Sequence, residues 1–223
     1  MFTKGYTLSA VREPCSIIPD NPHVQRLVEN FHRQGKVIGA VCHGPAALVN
    51  VYLEGSTPFL SGRRITGFSN SEELLLMSDA ENLFPFLLQS KLQDLGAEYS
   101  EGPKYLEHVV QDQNLLTGQN PWSVWALAEA MVRELGVEPR QRPVTRQERA
   151  VELLGRYESF GNLKARQKLS MSIAKGQILP DRQLIAMHSV VALMELKIGK
   201  AIDLLSLAKQ IKNTTNSKGR VAE

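Results

Sequence analysis

Cysteine is scarce in this chain: Cys15 and Cys42 are the only two among 223 residues. Two cysteines build no disulfide framework, which excludes the small stapled secreted scaffolds. A reducing, cytoplasmic setting is expected, where a thiol stays available for chemistry. Long apolar runs are missing as well. No stretch approaches the roughly 18–20 residues that span a bilayer, so no membrane association is expected. The opening MFTKGYTLSAVREPC lacks the apolar centre of a secretory signal. His23, His32, His108 and His188 have no partner at metal-ligand spacing, so no metal site is expected. No Gly-rich loop of the phosphate-cradling kind occurs.

The charge that is present is unevenly placed. Residues 1–138 carry 10 Lys+Arg against 16 Asp+Glu, a net −6, whereas residues 139–223 carry 16 against 7, a net +9. The change falls at Pro139, Arg140, Arg142 and Pro143, a basic linker. Two domains are expected: an α/β domain over 1–138 and a basic helical extension over 139–223. The basic residues of the extension (Arg140, Arg142, Arg146, Arg149, Lys164, Arg166, Lys168) lack interleaved aromatics and a recognition helix. A solvated helical face fits them better than a nucleic-acid partner.

Within the first part, strand and helix patterns alternate, which predicts a mostly parallel sheet flanked by helices. Ile17-Ile18 reads as a strand end. His23–Gln34 places Val24, Leu27, Val28 and Phe31 on one helix face and stops at Gly35. Arg64–Phe68 reads as a strand, Ser71–Leu76 as a helix and Phe84–Leu95 as a helix closed by Gly96. His108–Gln111 and Leu115–Gly118 read as strands, and Asn120-Pro121 opens a helix to Leu135. Trp122 and Trp125 read as packing aromatics of that helix. The extension reads as helices over 145–159, 162–175 and 181–212, the last apolar over a wide face.

Val37–Pro45, VIGAVCHGP, is the stretch with chemistry in it. An apolar β-rich run ends on Cys42, His43-Gly44 turns the chain, and Pro45 suits the first turn of a helix. A strand–nucleophile–helix turn exposes its side chain at the C-terminal edge of a sheet. The helix behind it would favour a thiolate. Cys42 is therefore the candidate nucleophile, whereas Cys15 reads as a buried small hydrophobe.

Three motifs, AVCHGPAAL, GRRITGFSNSEE and LLTGQNPWS, stand in an order and spacing that resembles the PfpI-type superfamily. The resemblance covers roughly residues 17–136 and is strongest to the stress-chaperone and glyoxalase III-type branch. It implies a flavodoxin-like, class I glutamine amidotransferase-like fold. It implies Cys42 as nucleophile, His43 as adjacent base and Glu73 as the acid orienting the histidine, with Glu72 as the second choice. It implies a small reactive carbonyl substrate such as methylglyoxal, no cofactor, and a homodimer. Peptide or amide hydrolysis, a holdase-type stress function and a catalytically inactive remnant remain as alternatives. The chain departs from the pattern at its start. The family's first βαβ portion supplies a glutamate near the cysteine and a Gly-Gly-His-Gly-type turn; here Glu13 is the sole acid before Asp20 and no such turn occurs. The fold expected is thus an N-terminally truncated α/β domain with an all-helical C-terminal extension.

Overall fold

The computed structural model describes the backbone of residues 5–10 and 18–220; Glu13, Cys15 and Ile17 lie outside the described residues. The described part divides into two compact units, one ending at Arg140 and one beginning at Gln141.

In the first unit, four strands form a sheet in the order β1 (Gly5–Ala10), β2 (Val37–Cys42), β6 (Leu115–Gly118), β5 (Val109–Asp112). β2 runs parallel to both β1 and β6, and β5 closes the other edge antiparallel to β6. A separate parallel pair joins β3 (Arg64–Ile65) to β4 (Glu98–Tyr99). The expected mostly parallel sheet is therefore present, with one antiparallel edge. β1 is an addition to the expectation. It pairs with β2 along its whole length, from Gly5 with Val37 to Ala10 with Cys42, and so occupies the edge of β2 opposite β6.

β2 is buried on both faces, which is why it reads as an unbroken apolar run. Val37 and Val41 pack with Leu116 and with Leu127 and Met131 of α5 (Val124–Glu134). Ile38 and Ala40, one residue out of phase, are buried on the opposite face. Helix α1 (Pro22–Arg33) also packs on β2. Asn21 caps it, accepting from the amides of His23 and Val24 at 2.9 and 3.3 Å.

Several boundaries differ from expectation for identifiable reasons. The strand expected to reach Phe68 stops at Ile65, because the Thr66 amide donates to the Thr117 hydroxyl (2.9 Å) instead of continuing a ladder. The helix expected from Phe84 begins at Leu88 (α4, Leu88–Asp94), since Pro85 disfavours helix at the residue before it. Two other short helices precede it, α2 (Asn70–Leu76) and α3 (Ala80–Leu83).

The second unit is helical: α6 (Arg146–Ala174), α7 (Arg182–Met194) and α8 (Ile198–Arg220). α6 breaks at Gly161, whose φ of 78° and ψ of 178° suit glycine almost alone. Asp203 of α8 holds both sides of that break, accepting from the Tyr157 hydroxyl (2.8 Å) and the Asn162 amide (2.6 Å). The single helix expected over 181–212 is instead two, divided at Leu196. No helix among the described residues is long and apolar enough to cross a membrane.

Candidate active site

Cys42 ends β2 with a φ of +60°, a left-handed conformation uncommon for a side chain with a Cβ. The strain turns the thiol out at the C-terminal edge of the sheet, as the sharp strand-to-turn geometry of a nucleophile elbow does. The Phe68 amide donates to the Cys42 carbonyl at 2.9 Å, so the 67–68 segment closes over the turn. The Tyr99 hydroxyl in turn donates to the Gly67 carbonyl (2.6 Å), and burial pushes that phenol well above its usual range. Behind Cys42 stands a five-residue 3-10 turn, Gly44–Leu48, not the expected α-helix. A single tight turn has little macrodipole, so support for a thiolate has to come from side chains.

His43 is the side chain within reach. Its Nδ1 lies 3.4 Å from Cys42 Sγ, and its Nε2 lies 2.6 Å from Glu73 Oε2. With Glu73 ionised, Nε2–H donates to the carboxylate and the Nδ1 lone pair faces the thiol. Both side chains are only 6% exposed, so their charge-assisted bond is sheltered from water. The Phe68 ring packs on the imidazole with 4.7 Å between centroids. The structure thus brings Cys42, His43 and Glu73, all singled out from sequence, into one line.

Glu72, the second choice at sequence level, has a different setting. It is fully buried and starts the helix that carries Glu73, in a capping box with Ser69. Its carboxylate also accepts from the Tyr105 amide (2.6 Å) and the Asn120 side-chain amide (2.9 Å). Burial pushes the Glu72 carboxyl up, and the Tyr105 and Ser69 amides oppose that shift. Asn120 further donates to the Leu106 carbonyl (2.7 Å) and accepts from the Trp122 amide (3.0 Å). In the sequence Asn120 reads only as a helix cap. Its second role, with Tyr105, depends on partners 48 and 33 residues away in the chain, which no local pattern reveals.

Trp122 and Trp125 stack with centroids 6.1 Å apart, as packing aromatics do. His108 shares a hydrogen bond with Ser100 (2.9 Å), and burial holds its basicity down. Among the described residues, no group of three or more His, Cys, Asp or Glu is placed to hold a metal ion.

A doubly covered, mostly parallel sheet with a strained cysteine, an adjacent histidine and a buried glutamate defines an elbow-type thiol site on an α/β scaffold. The family model described as DJ-1/PfpI matches residues 12–134, more than half of the chain, and the chain belongs to that family. A probable glutathione-independent glyoxalase of Schizosaccharomyces pombe is 29% identical over 123 residues, covering 52% of this chain and 47% of that protein. Glyoxalase 3 of Candida albicans is 31% identical over 119 residues, covering 51% and 50%. Among solved structures, glyoxalase III of Candida albicans superposes with a TM-score of 0.55 at 27% identity, covering 59% of this chain and 56% of that one. The Rapid Encystment Protein of Francisella tularensis gives a TM-score of 0.57 at 30% identity, covering 59% and 58%. The chain spans about half the length of these curated relatives.

Proposed function

We propose that this protein converts a small 2-oxoaldehyde such as methylglyoxal to the 2-hydroxy acid without glutathione, using Cys42 as nucleophile, His43 as proton carrier and Glu73 as the group that orients it. The observation that carries this reading is the alignment of the three side chains, at 3.4 Å from thiol to imidazole and 2.6 Å from imidazole to carboxylate. His43 takes the thiol proton, and the thiolate adds to the aldehyde carbon. The proton passes to the former aldehyde oxygen, giving a hemithioacetal. His43 then removes the hydrogen on that carbon as a proton while the neighbouring ketone oxygen takes one up, giving an enediol; a proton is returned to the former ketone carbon as the hydroxyl on the sulfur-bearing carbon gives up its own and becomes the thioester carbonyl. The first carbon is oxidised and the second reduced, so the S-lactoyl thioester forms with no external oxidant. Water cleaves it to lactate and restores the thiol. The glyoxalase names of the relatives support the substrate class. A reducing compartment, such as the cytoplasm, suits a mechanism that needs the thiol. We also infer a homodimer.

The test is lactate formation from methylglyoxal in glutathione-free buffer. Purified protein turns over, and Cys42→Ser loses at least about 1,000-fold of kcat/KM while keeping its melting temperature. Turnover retained by Cys42→Ser, or turnover of amide but not 2-oxoaldehyde substrates, contradicts the assignment.

A further inference from the structure

Phe68 is tied to all three members of the thiol site. Its amide donates to the Cys42 carbonyl at 2.9 Å. Its ring lies against the His43 imidazole, with 4.7 Å between centroids and 32° between planes. The next residue, Ser69, caps α2, the helix that carries Glu73. The place of that ring is set from outside. The Tyr99 hydroxyl holds the Gly67 carbonyl at 2.6 Å. Gly67 packs so closely that a Cβ there would lie 3.0 Å from Leu88 and 3.3 Å from both the Cys42 carbonyl and Pro45. Beyond the Phe68 ring stands the ring of Tyr105, 6.2 Å away between centroids, whose backbone amide donates to Glu72 (2.6 Å). Phe68 and His43 are both buried, so little water reaches the contact between them.

We propose that Phe68 is a positioning residue that favours the thiolate–imidazolium form of the Cys42–His43 pair by presenting its ring face to the imidazole. The inference rests on the reading of Cys42 as nucleophile, His43 as its base and Glu73 as the orienting acid. When the thiol proton passes from Sγ to Nδ1, positive charge appears on a ring that already lies against an aromatic face. Such a face attracts a cation, most strongly where water is excluded. An aliphatic side chain of similar size fills the same space but carries no quadrupole. The other titratable groups around the pair are Glu73 at Nε2, Glu72 beside it on α2, and the Tyr99 and Tyr105 phenols behind the 67–68 segment and the Phe68 ring. Glu73 acts on the imidazole through its edge, as a charge, whereas Phe68 acts through its face. The two contributions are therefore separable by substitution.

The pH profile of Cys42 alkylation in a Cys15→Ser background separates them, with a melting temperature recorded for each variant. Phe68→Leu and Phe68→Met fill the space without an aromatic face, and each moves the midpoint up by about one pH unit. Below both midpoints the alkylation rate falls about 10-fold. Phe68→Tyr keeps the ring face and restores the lower midpoint. A role in packing alone lowers the melting temperature of the leucine and methionine variants and leaves the midpoint unmoved, and that result overturns the proposal. A midpoint as high in Phe68→Tyr as in Phe68→Leu overturns it too. An ordinary midpoint of about 8.5 in the parent overturns it together with the reading of the site. A low parent midpoint that responds to Glu73→Gln but ignores the Phe68 variants overturns this proposal alone.

Discussion

Two adjacent glutamates on one helical turn have separate tasks. Glu73 reaches His43, whereas Glu72 is spent on structure, tied to Ser69, Tyr105 and Asn120. The division follows from geometry: consecutive helix positions point about 100° apart, so one carboxylate can face the thiol while the other faces the core. The motif GFSNSEE displayed both acids, and the resemblance favoured Glu73. Asn120 was visible only through its cap, because its bond to Glu72 joins distant parts of the chain. Replacing Asn120 by alanine withdraws a donor from a buried carboxylate. Asn120→Ala is expected to lower unfolding stability by about 2 kcal/mol in urea titration, with the Cys42 alkylation rate also reduced as α2 loosens. An unchanged transition midpoint would show that Glu72 does not depend on this amide.

At the scale of elements, helix ends explain both what was legible and what was not. Gly35 and Gly136 stop α1 and α5 at left-handed φ of 62° and 77°, where the sequence announces a stop. Leu196 does the same for α7 at φ 59° with no glycine to announce it. The Leu196 amide donates to the Leu193 carbonyl (2.9 Å) and the Lys197 amide to the Ala192 carbonyl (2.8 Å), the bonds of a Schellman stop. What breaks the helix is the packing of α7 against α8, a tertiary gain that local periodicity does not contain. Leu196 is 85% exposed, so its side chain contributes little packing. Leu196→Gly is therefore expected to raise the thermal midpoint, by relief of about 1 kcal/mol of left-handed strain. A lower midpoint would contradict this account of the turn.

The start of α6 supplies a pH test at the same scale. Glu148 accepts from the Thr145 amide (2.8 Å) and pairs with Arg142 (2.6 Å). The Arg142 guanidinium holds the Glu148 carboxyl down at about 2, from an ordinary value of 4.5. A depressed folded-state value means that the stabilisation is complete above the ordinary value and fades as pH falls towards the lower one. Stability of the helical unit should decline from about pH 5 to pH 2, and Glu148→Gln should flatten that decline. An identical acid limb in the variant would assign the loss to other carboxylates.

The whole molecule joins a family domain to a helical unit of opposite charge, net −6 over residues 1–138 and net +9 over 139–223. The thiol site rests on β2, whose burial on both faces made it the most legible segment of the sequence. β1 is not legible in the sequence, because Gly5–Ala10 is short and its partner begins 32 residues later, at Val37. Yet β1 pairs with the very strand that delivers Cys42, and its presence bears on whether the site is assembled.

The central claim is that His43 and Glu73 hold Cys42 ready as a thiolate, and its most direct test is the pH dependence of Cys42 alkylation in a Cys15→Ser background. Half-maximal reactivity is predicted well below the ordinary thiol value of about 8.5, moving up towards it in Glu73→Gln. A midpoint at or above about 8.5 in the parent protein, unaffected by Glu73→Gln, would contradict the account.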